Sequence, residues 1–226
     1  MTWLSGVARR ERTRGLLAVC LVFSSFHIAT AGAANLASFP ADTAVSHSIS
    51  QSVLNFASWA IKSGDSMNLP FVIVDKIDAK LFVFDARGAL RSSTSVLLGL
   101  ARGDHSVPGI GTRPIAKIKP SERTTPAGRF VGERGKNLDG EDIIWIDYEA
   151  ALAIHRLRAG SSREQRLLRL GSTTPADHRI SYGCVVTPVA FYEQEIAPAF
   201  AGGKRIVYVL PESRSLMEVF SVDQDL

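Results

Sequence analysis

Residues 180–188 read Ile180-Ser181-Tyr182-Gly183-Cys184-Val185-Val186-Thr187-Pro188. The segment places a glycine beside a cysteine, and a proline follows where the first turn of a helix favours it. We therefore predict a loop that carries Cys184 and a helix that begins near Thr187. Because a helix N-terminus carries partial positive charge, we expect this helix to favour the Cys184 thiolate.

The only other cysteine is Cys20, which lies in a stretch typical of a secretory signal. Four arginines precede an apolar run over residues 16–28, and small residues follow it. The run is shorter than the ~20 residues that a membrane span requires. We predict a signal peptide over residues 1–33 and a periplasmic or cell-envelope location. Its removal leaves Cys184 as the single thiol, so no internal disulfide is expected. The arginines are Arg9, Arg10, Arg12 and Arg14.

Charge gives little support for nucleic-acid binding. The 226-residue chain has a formal net charge of +4, and most of that excess lies in the predicted signal. No basic patch interleaved with aromatic residues occurs elsewhere, so no nucleic-acid partner is predicted. The chain that remains after the signal suits one domain with a full core.

Hydrophobic periodicity predicts a mainly β fold, β-sandwich-like, with a few short helices. A three- and four-residue apolar spacing indicates a helix over residues 43–62, capped by Asp42 or Thr43 and packed outside the main domain. We predict an N-terminal extension over 34–69, a main domain over 70–211 and a tail over 212–226. The predicted strands cover residues 71–75, 80–85, 142–147, 151–155 and 204–210, and a further strand follows the turn at residues 86–88 and ends over residues 95–99. Short helices are expected over 163–168 and after Pro188.

A thiol acts as a nucleophile when a neighbouring base removes its proton, and imidazole is the usual base. His155 ends a predicted strand, from which a scaffold can hold it rigidly, so it is the preferred base. His178 is the second choice, ahead of His47 and His105. Backbone N–H groups at Gly183 and Cys184 are the candidate oxyanion donors.

Three motifs give the chain a resemblance to the L,D-transpeptidase catalytic domain of bacterial cell-wall enzymes. The family signature is a histidine, a spacer and Ser/Thr-His-Gly-Cys followed by an apolar residue and Asn or Arg. The chain has Ser181-Tyr182-Gly183-Cys184-Val185-Val186, so Tyr182 and Val186 depart from it, and residues 157–177 would be an insertion. The other two motifs are Thr125-Pro126-Ala127-Gly128-Arg129-Phe130 and an opening hairpin over residues 72–88.

The resemblance implies a peptidoglycan stem tetrapeptide as substrate, with Cys184 as nucleophile, His155 as base and Gly183 in the oxyanion site. Ser181, Tyr182, Arg179 and His178 are then the candidate substrate-binding residues, with Arg179 meeting a substrate carboxylate. No cofactor and no metal is predicted. Two other hypotheses stay open: a peptidoglycan-binding module with a degenerate site, and an unrelated cysteine peptidase, against which the Thr125–Phe130 motif argues.

Overall fold

The computed structural model describes residues 49–158 and 164–221. The predicted signal peptide, Cys20, His47 and the proposed helix caps Asp42 and Thr43 lie outside these residues.

One mixed sheet of eight strands dominates the fold, in the order β3-β2-β1-β10-β5-β6-β7-β9. β1 and β10 pair in parallel, as do β7 and β9, while the other neighbours are antiparallel. A separate parallel pair joins β4 to β8. The strands are β1 Phe71–Asp75, β2 Lys80–Phe84, β3 Leu90–Ser95, β4 Leu98–Gly99, β5 Gly128–Lys136, β6 Asp142–Asp147, β7 Leu152–Arg156, β8 Arg179–Ser181, β9 Val185–Thr187 and β10 Arg205–Val209. The mainly β class predicted from the sequence is confirmed.

The sheet curls around a first apolar core. That core joins Val72 and Leu81, from one end of the sheet, to Ile154 and Val185, from the other end. The chain that leaves edge strand β3 forms an isolated bridge from Leu97 to Val186 of the opposite edge strand β9. The sandwich-like layering therefore arises from one curled sheet.

Helical segments follow β9 and cover this first core. Tyr192, Ile196 and Phe200 pack into it from a continuous run of three short pieces. These are α3 Val189–Phe191, a π-helical turn Tyr192–Ile196 and α4 Ala197–Ala199. A helix after Pro188 is thus confirmed. Its expected closeness to Cys184 is wrong, because strand β9 intervenes and the charge of a helix end acts only over about one turn.

A second core lies on the outer face of the sheet, under the helix α1, Gln51–Lys62. The helix begins later than predicted: Ser50 is its N-cap, and its hydroxyl accepts from the Val53 N–H at 3.4 Å. Phe56 is fully buried and contacts Tyr208 of β10. A C-terminal helix, α5 Leu216–Phe220, also packs here, because Phe56 and Phe220 lie 4.6 Å apart between ring centroids. The helix predicted as part of an extension therefore shares a core with the sheet.

Two predicted elements differ in their bounds. The strand predicted to follow the turn at 86–88 and to end over 95–99 is divided into β3 and β4, because Val96 and Leu97 belong to neither strand. The short helix predicted from residue 163 is α2, Arg166–Leu170, and residues 159–163 are not described.

Replacing Phe56 by alanine tests the contribution of α1. Removal of a fully buried aromatic ring should lower the free energy of unfolding by about 3–5 kcal/mol. The measurement is urea denaturation followed by circular dichroism. Leu54→Ala is the control, because Leu54 lies on the same helix and is 40% exposed. Equal effects of the two substitutions would contradict a shared core.

Candidate active site

Cys184 lies on the short loop between strands β8 and β9. Its side chain is half-buried, and the thiol donates to the backbone oxygen of Ala151 at 3.6 Å. Ala151 belongs to the turn that connects β6 to β7. The sulfur therefore faces the beginning of β7, and the sequence prediction of a cysteine on a loop agrees with this position.

His155 lies near the end of β7, the parallel neighbour of β9. It pairs in register with Val186, and Cys184 lies two residues before Val186, on the loop that leads into β9. Its Nδ1 lies 2.8 Å from the backbone oxygen of Arg156. An N–H at Nδ1 donates to that oxygen, which leaves Nε2 as the ring nitrogen with a free lone pair.

The environment of both groups favours their neutral forms. Burial raises the pKa of the Cys184 thiol, although the backbone N–H of Ala153 acts in the opposite direction. Burial also lowers the pKa of His155, more than the bond to the Arg156 oxygen raises it. Arg158 lowers the pKa of both groups through its charge. Near neutral pH the site therefore holds a thiol and a neutral imidazole, which is the pair that general-base activation requires.

Hydrogen bonds fix the conformation of the cysteine loop. Ser181 Oγ donates to the Cys184 oxygen at 2.7 Å and accepts from the Gly183 N–H at 3.1 Å. The Gly183 N–H is therefore already engaged, and its predicted part in the oxyanion site is not supported by this geometry. Gly183 has φ +135°, and a Cβ there would lie 2.7 Å from the oxygen of Thr124. The glycine is required for both its backbone conformation and this close approach.

Thr125, the first residue of the Thr-Pro motif, holds the loop from the other side. Its fully buried hydroxyl donates to the Gly183 oxygen at 2.7 Å and accepts from the Gly99 N–H at 2.8 Å. The motif near residue 125 and the motif near residue 184 are therefore one structural unit.

A buried ammonium group lies behind Thr125. Lys76 Nζ donates to Thr125 O at 2.9 Å, to Gly103 O at 2.7 Å and to Asp104 Oδ1 at 2.6 Å. The Lys76 side chain is fully buried. Burial lowers its pKa, against the opposing effect of Asp104. Burial raises the pKa of Asp104, but bonds from Lys76 and Ser213 outweigh this and hold it below its usual range.

Two predicted substrate-binding residues belong to the scaffold. Arg179 is buried and donates through Nη1 and Nη2 to both oxygens of Glu212, at 3.1 and 2.6 Å, and through Nη2 to Lys76 O at 2.7 Å. It is therefore not available to a substrate carboxylate. His178 is buried, with its ring nitrogens 3.0 Å from Val96 O and 3.1 Å from Ser172 O. These bonds give His178 a structural position away from the thiol.

Tyr182 is exposed, two residues before Cys184, and it has a partner that its sequence neighbourhood does not indicate. The guanidinium carbon of Arg123 lies 4.0 Å from the centroid of the Tyr182 ring. Arg123 also donates through Nε and Nη2 to Ile118 O, at 3.4 and 3.2 Å. No sequence signal links the two residues, because they lie on different loops.

The described ranges, 49–158 and 164–221, contain no group of histidine, cysteine and acidic residues suited to a metal ion. Within the same ranges, no helix has the length and apolar character needed to cross a membrane.

Alkylation of Cys184 as a function of pH tests the neutral pair. With a raised thiol pKa, the rate with iodoacetamide should be slow at pH 7 and should rise about tenfold per pH unit until above pH 9. The measurement is peptide mapping by mass spectrometry in a Cys20→Ser variant, with Cys184→Ser as the control. A rate that is already at its plateau below pH 7 would instead indicate a preformed thiolate–imidazolium pair.

Replacing Lys76 by methionine tests the buried ion pair. The variant leaves Asp104 charged and buried without its cation, so we expect a loss of about 3–5 kcal/mol in the free energy of unfolding. Lys62→Met, at an exposed position of α1, is the control and should change the free energy of unfolding by less than about 0.5 kcal/mol. Chemical denaturation measures both, and a small loss in Lys76→Met would contradict the importance of the pair.

No protein-family model matches the chain, and no curated protein matches it in sequence. Solved structures do match. The helical cell shape determining protein Pgp2 from Campylobacter jejuni shares 18% identity over 71% of this chain and 56% of its own, with a TM-score of 0.43. The LD transpeptidase LdtMt1, solved in complex with imipenem, shares 13% identity over 62% of this chain and 58% of its own, with a TM-score of 0.40.

The catalytic domain of the Enterococcus faecium L,D-transpeptidase shares 20% identity over 64% of this chain and 98% of its own, with a TM-score of 0.32. Against Pgp2 and LdtMt1, the chain spans less than two thirds of the matched protein. Similarities at this level say nothing of what the chain binds or transforms. Its solved structural neighbours include L,D-transpeptidases, the family that its own motifs resemble.

Proposed function

We propose that the chain is a secreted peptidoglycan L,D-transpeptidase that uses Cys184 as its nucleophile. The observation that carries the proposal is the placement of Cys184 and His155. His155 lies on β7, and Cys184 lies on the loop that leads into the adjacent parallel strand β9, one residue before it begins. Nδ1 of His155 is held by Arg156 O, so Nε2 is free to accept a proton. The predicted signal over residues 1–33 supports export to the periplasm or cell envelope.

The first step forms a thioester with the stem tetrapeptide. His155 Nε2 takes the thiol proton as Cys184 Sγ attacks the carbonyl carbon between the L-centre of the diamino acid and the terminal D-alanine. The imidazolium then gives that proton to the leaving amine, and D-alanine departs. Because both groups start neutral, charge separates only as the bond forms, inside a partly buried site.

Negative charge develops on the carbonyl oxygen during this attack. The Gly183 N–H is occupied by Ser181 Oγ, so we assign the oxyanion to the N–H of Cys184. One such donor contributes about 3–4 kcal/mol in other enzymes. Ser181 acts as a positioning residue, because its two bonds set the backbone direction at Cys184.

The second step transfers the acyl group. An amine of a second stem attacks the thioester, His155 removes the amine proton, and the thiol leaves with a cross-link formed. Water in place of the amine gives hydrolysis, which is an L,D-carboxypeptidase reaction. Both outcomes use the same residues.

Substrate carboxylates need a cation, and Arg179 cannot provide it. Arg123 is the better candidate, because it stacks on the exposed ring of Tyr182 next to Cys184. Two of its nitrogens bond Ile118 O, while Nη1 has no hydrogen-bond partner among residues 49–158 and 164–221. We assign Arg123 and Tyr182 to the recognition of a stem carboxylate.

A peptidoglycan-binding module without turnover is the alternative. The thiol in this structure donates to Ala151 O and not to His155, so the attack requires a rotation of the cysteine side chain. If the Cys184 side chain does not rotate, the protein would bind the stem peptide without cleaving it.

Release of D-alanine from a disaccharide tetrapeptide distinguishes the two functions. We expect release and cross-linked dimer from the wild-type protein, and their loss in Cys184→Ala. His155→Ala should lower kcat by about 100-fold or more, because the general base is lost. Mass spectrometry measures the released amino acid and the dimer.

His178→Ala is the matched control for the base, since His178 bonds only backbone oxygens. This variant should lower the melting temperature, while the kcat of the protein that remains folded should stay close to the wild-type value. Equal losses of kcat in the two histidine variants would contradict the assignment of His155. Binding of the substrate without any release of D-alanine would favour the module.

A further inference from the structure

A stacked pair of aromatic rings, one half-buried and one exposed, lies near the proposed active site and takes no part in the mechanism above. The rings of Trp145 and Tyr148 have centroids 4.9 Å apart and an interplanar angle of 28°. Tyr148 is 60% exposed. The exposed aromatic surface of this stack is favourable to cover with a ligand.

The backbone is shaped to hold this stack. Trp145 Nε1 donates to Lys136 O at 3.3 Å, which fixes the indole against β5. A Cβ at Gly135 would lie 2.5 Å from Cδ1 of Trp145. Only glycine at this position lets the indole lie so close to the neighbouring strand.

Trp145 of the stack belongs to the same sheet face as the proposed base, His155. Trp145 pairs with Ala153 of β7, and His155, two residues on, pairs with Val186 of β9. Two hydrogen bonds also connect the aromatic stack to the thiol. The Ala151 N–H donates to Tyr148 O at 3.2 Å, and Cys184 Sγ donates to Ala151 O at 3.6 Å. The aromatic pair and the thiol therefore have fixed relative positions.

We propose that Trp145 and Tyr148 form a subsite for a sugar ring of the peptidoglycan glycan strand, an extension that rests on the proposed function. The C–H groups on the face of a pyranose ring carry partial positive charge and stack on the negative face of an aromatic ring. Glu133 and Lys204, paired at 3.0 Å, supply an acceptor and donors for sugar hydroxyls. Glu133 is close enough to Tyr148 to raise the pKa of its hydroxyl, after the larger effect of desolvation.

The separation of the two sites fits a sugar-linked stem. β6 and β9 are two strand spacings apart, which is about 10 Å. In the stem tetrapeptide three residues lie between the sugar and the bond that Cys184 attacks. Three extended residues span about 10 Å, so one substrate molecule reaches both sites.

The test uses a glycan that carries no peptide, so its outcome does not depend on Cys184 chemistry. The full chain, labelled with nitrogen-15, is titrated with the tetramer of N-acetylglucosamine, and the indole N–H resonances are followed by NMR. We expect a saturable shift of the Trp145 resonance and no shift of Trp59, which lies on α1. Assignment comes from Trp145→Phe.

Tyr148→Ala should raise the dissociation constant for the tetramer about 2- to 10-fold, as expected for the loss of one aromatic contact. Leu138→Ala is the matched control, because Leu138 is a fully exposed apolar residue between the same two strands, β5 and β6, and should leave the constant unchanged. Absence of a saturable Trp145 shift, a shift of Trp59 in its place, or equal affinities of wild type and Tyr148→Ala would each overturn the subsite. D-alanine release remains a separate result in each case.

Discussion

The buried ammonium group of Lys76 is the contact on which the candidate site depends. It joins three separate parts of the chain, because its partners belong to the loop after β4, to the Thr-Pro motif and, through Asp104, to the segment before α5. Asp104 in turn accepts from the backbone N–H groups of Glu212, Ser213 and Arg214. Isolated buried charges are costly, but here both charges are paired and hydrogen-bonded. The arrangement is therefore specific to one conformation of these loops.

Two further contacts connect Lys76 to the loop that carries Cys184. Lys76 holds the oxygen of Thr125, and the hydroxyl of Thr125 holds the oxygen of Gly183, next to Cys184. Arg179, in the strand just before the cysteine loop, adds a second connection to this network, since it donates to both Lys76 O and Glu212. Polar groups that are this deeply buried tolerate little displacement without losing bonds. The thiol is thus positioned by a rigid network, while its activation is the role proposed for His155.

The sequence predicted those features that leave a local pattern. Strands β1, β2, β6, β7 and β10 follow runs of apolar and β-branched residues, and a glycine beside Cys184 indicates a loop. The end of β7 identified His155, because strand ends position side chains. Long-range contacts leave no such pattern. Arg179 looked like a substrate ligand because nothing near it in sequence revealed Glu212, and Arg123 was missed because its partner Tyr182 lies on another loop.

The sequence also predicts the wrong start for α1 and the wrong end for β3, for a related reason. Apolar spacing continues through residues 43–62, but the helix begins where Ser50 can cap it. Similarly, apolar residues run from Val96 to Leu98, yet Leu97 leaves the strand to bridge Val186 on the opposite edge of the sheet. In both cases a specific hydrogen bond decides the boundary, and hydrophobic periodicity alone does not contain that information.

The departure from the family motif at Val186 has a physical explanation in this fold. Val186 is fully buried in a small apolar cluster with Leu97 and Leu170. Leu170 belongs to α2, within the segment 157–177 that the resemblance marks as an insertion. An Asn or Arg at position 186 would be buried beneath Leu170 without a polar partner in this cluster, at a cost of several kcal/mol for a charged group. Val186 and helix α2 therefore pack against each other, and under the proposed function a polar contact to the substrate comes from another loop. We have proposed that Arg123, which stacks on the ring of Tyr182, supplies this contact.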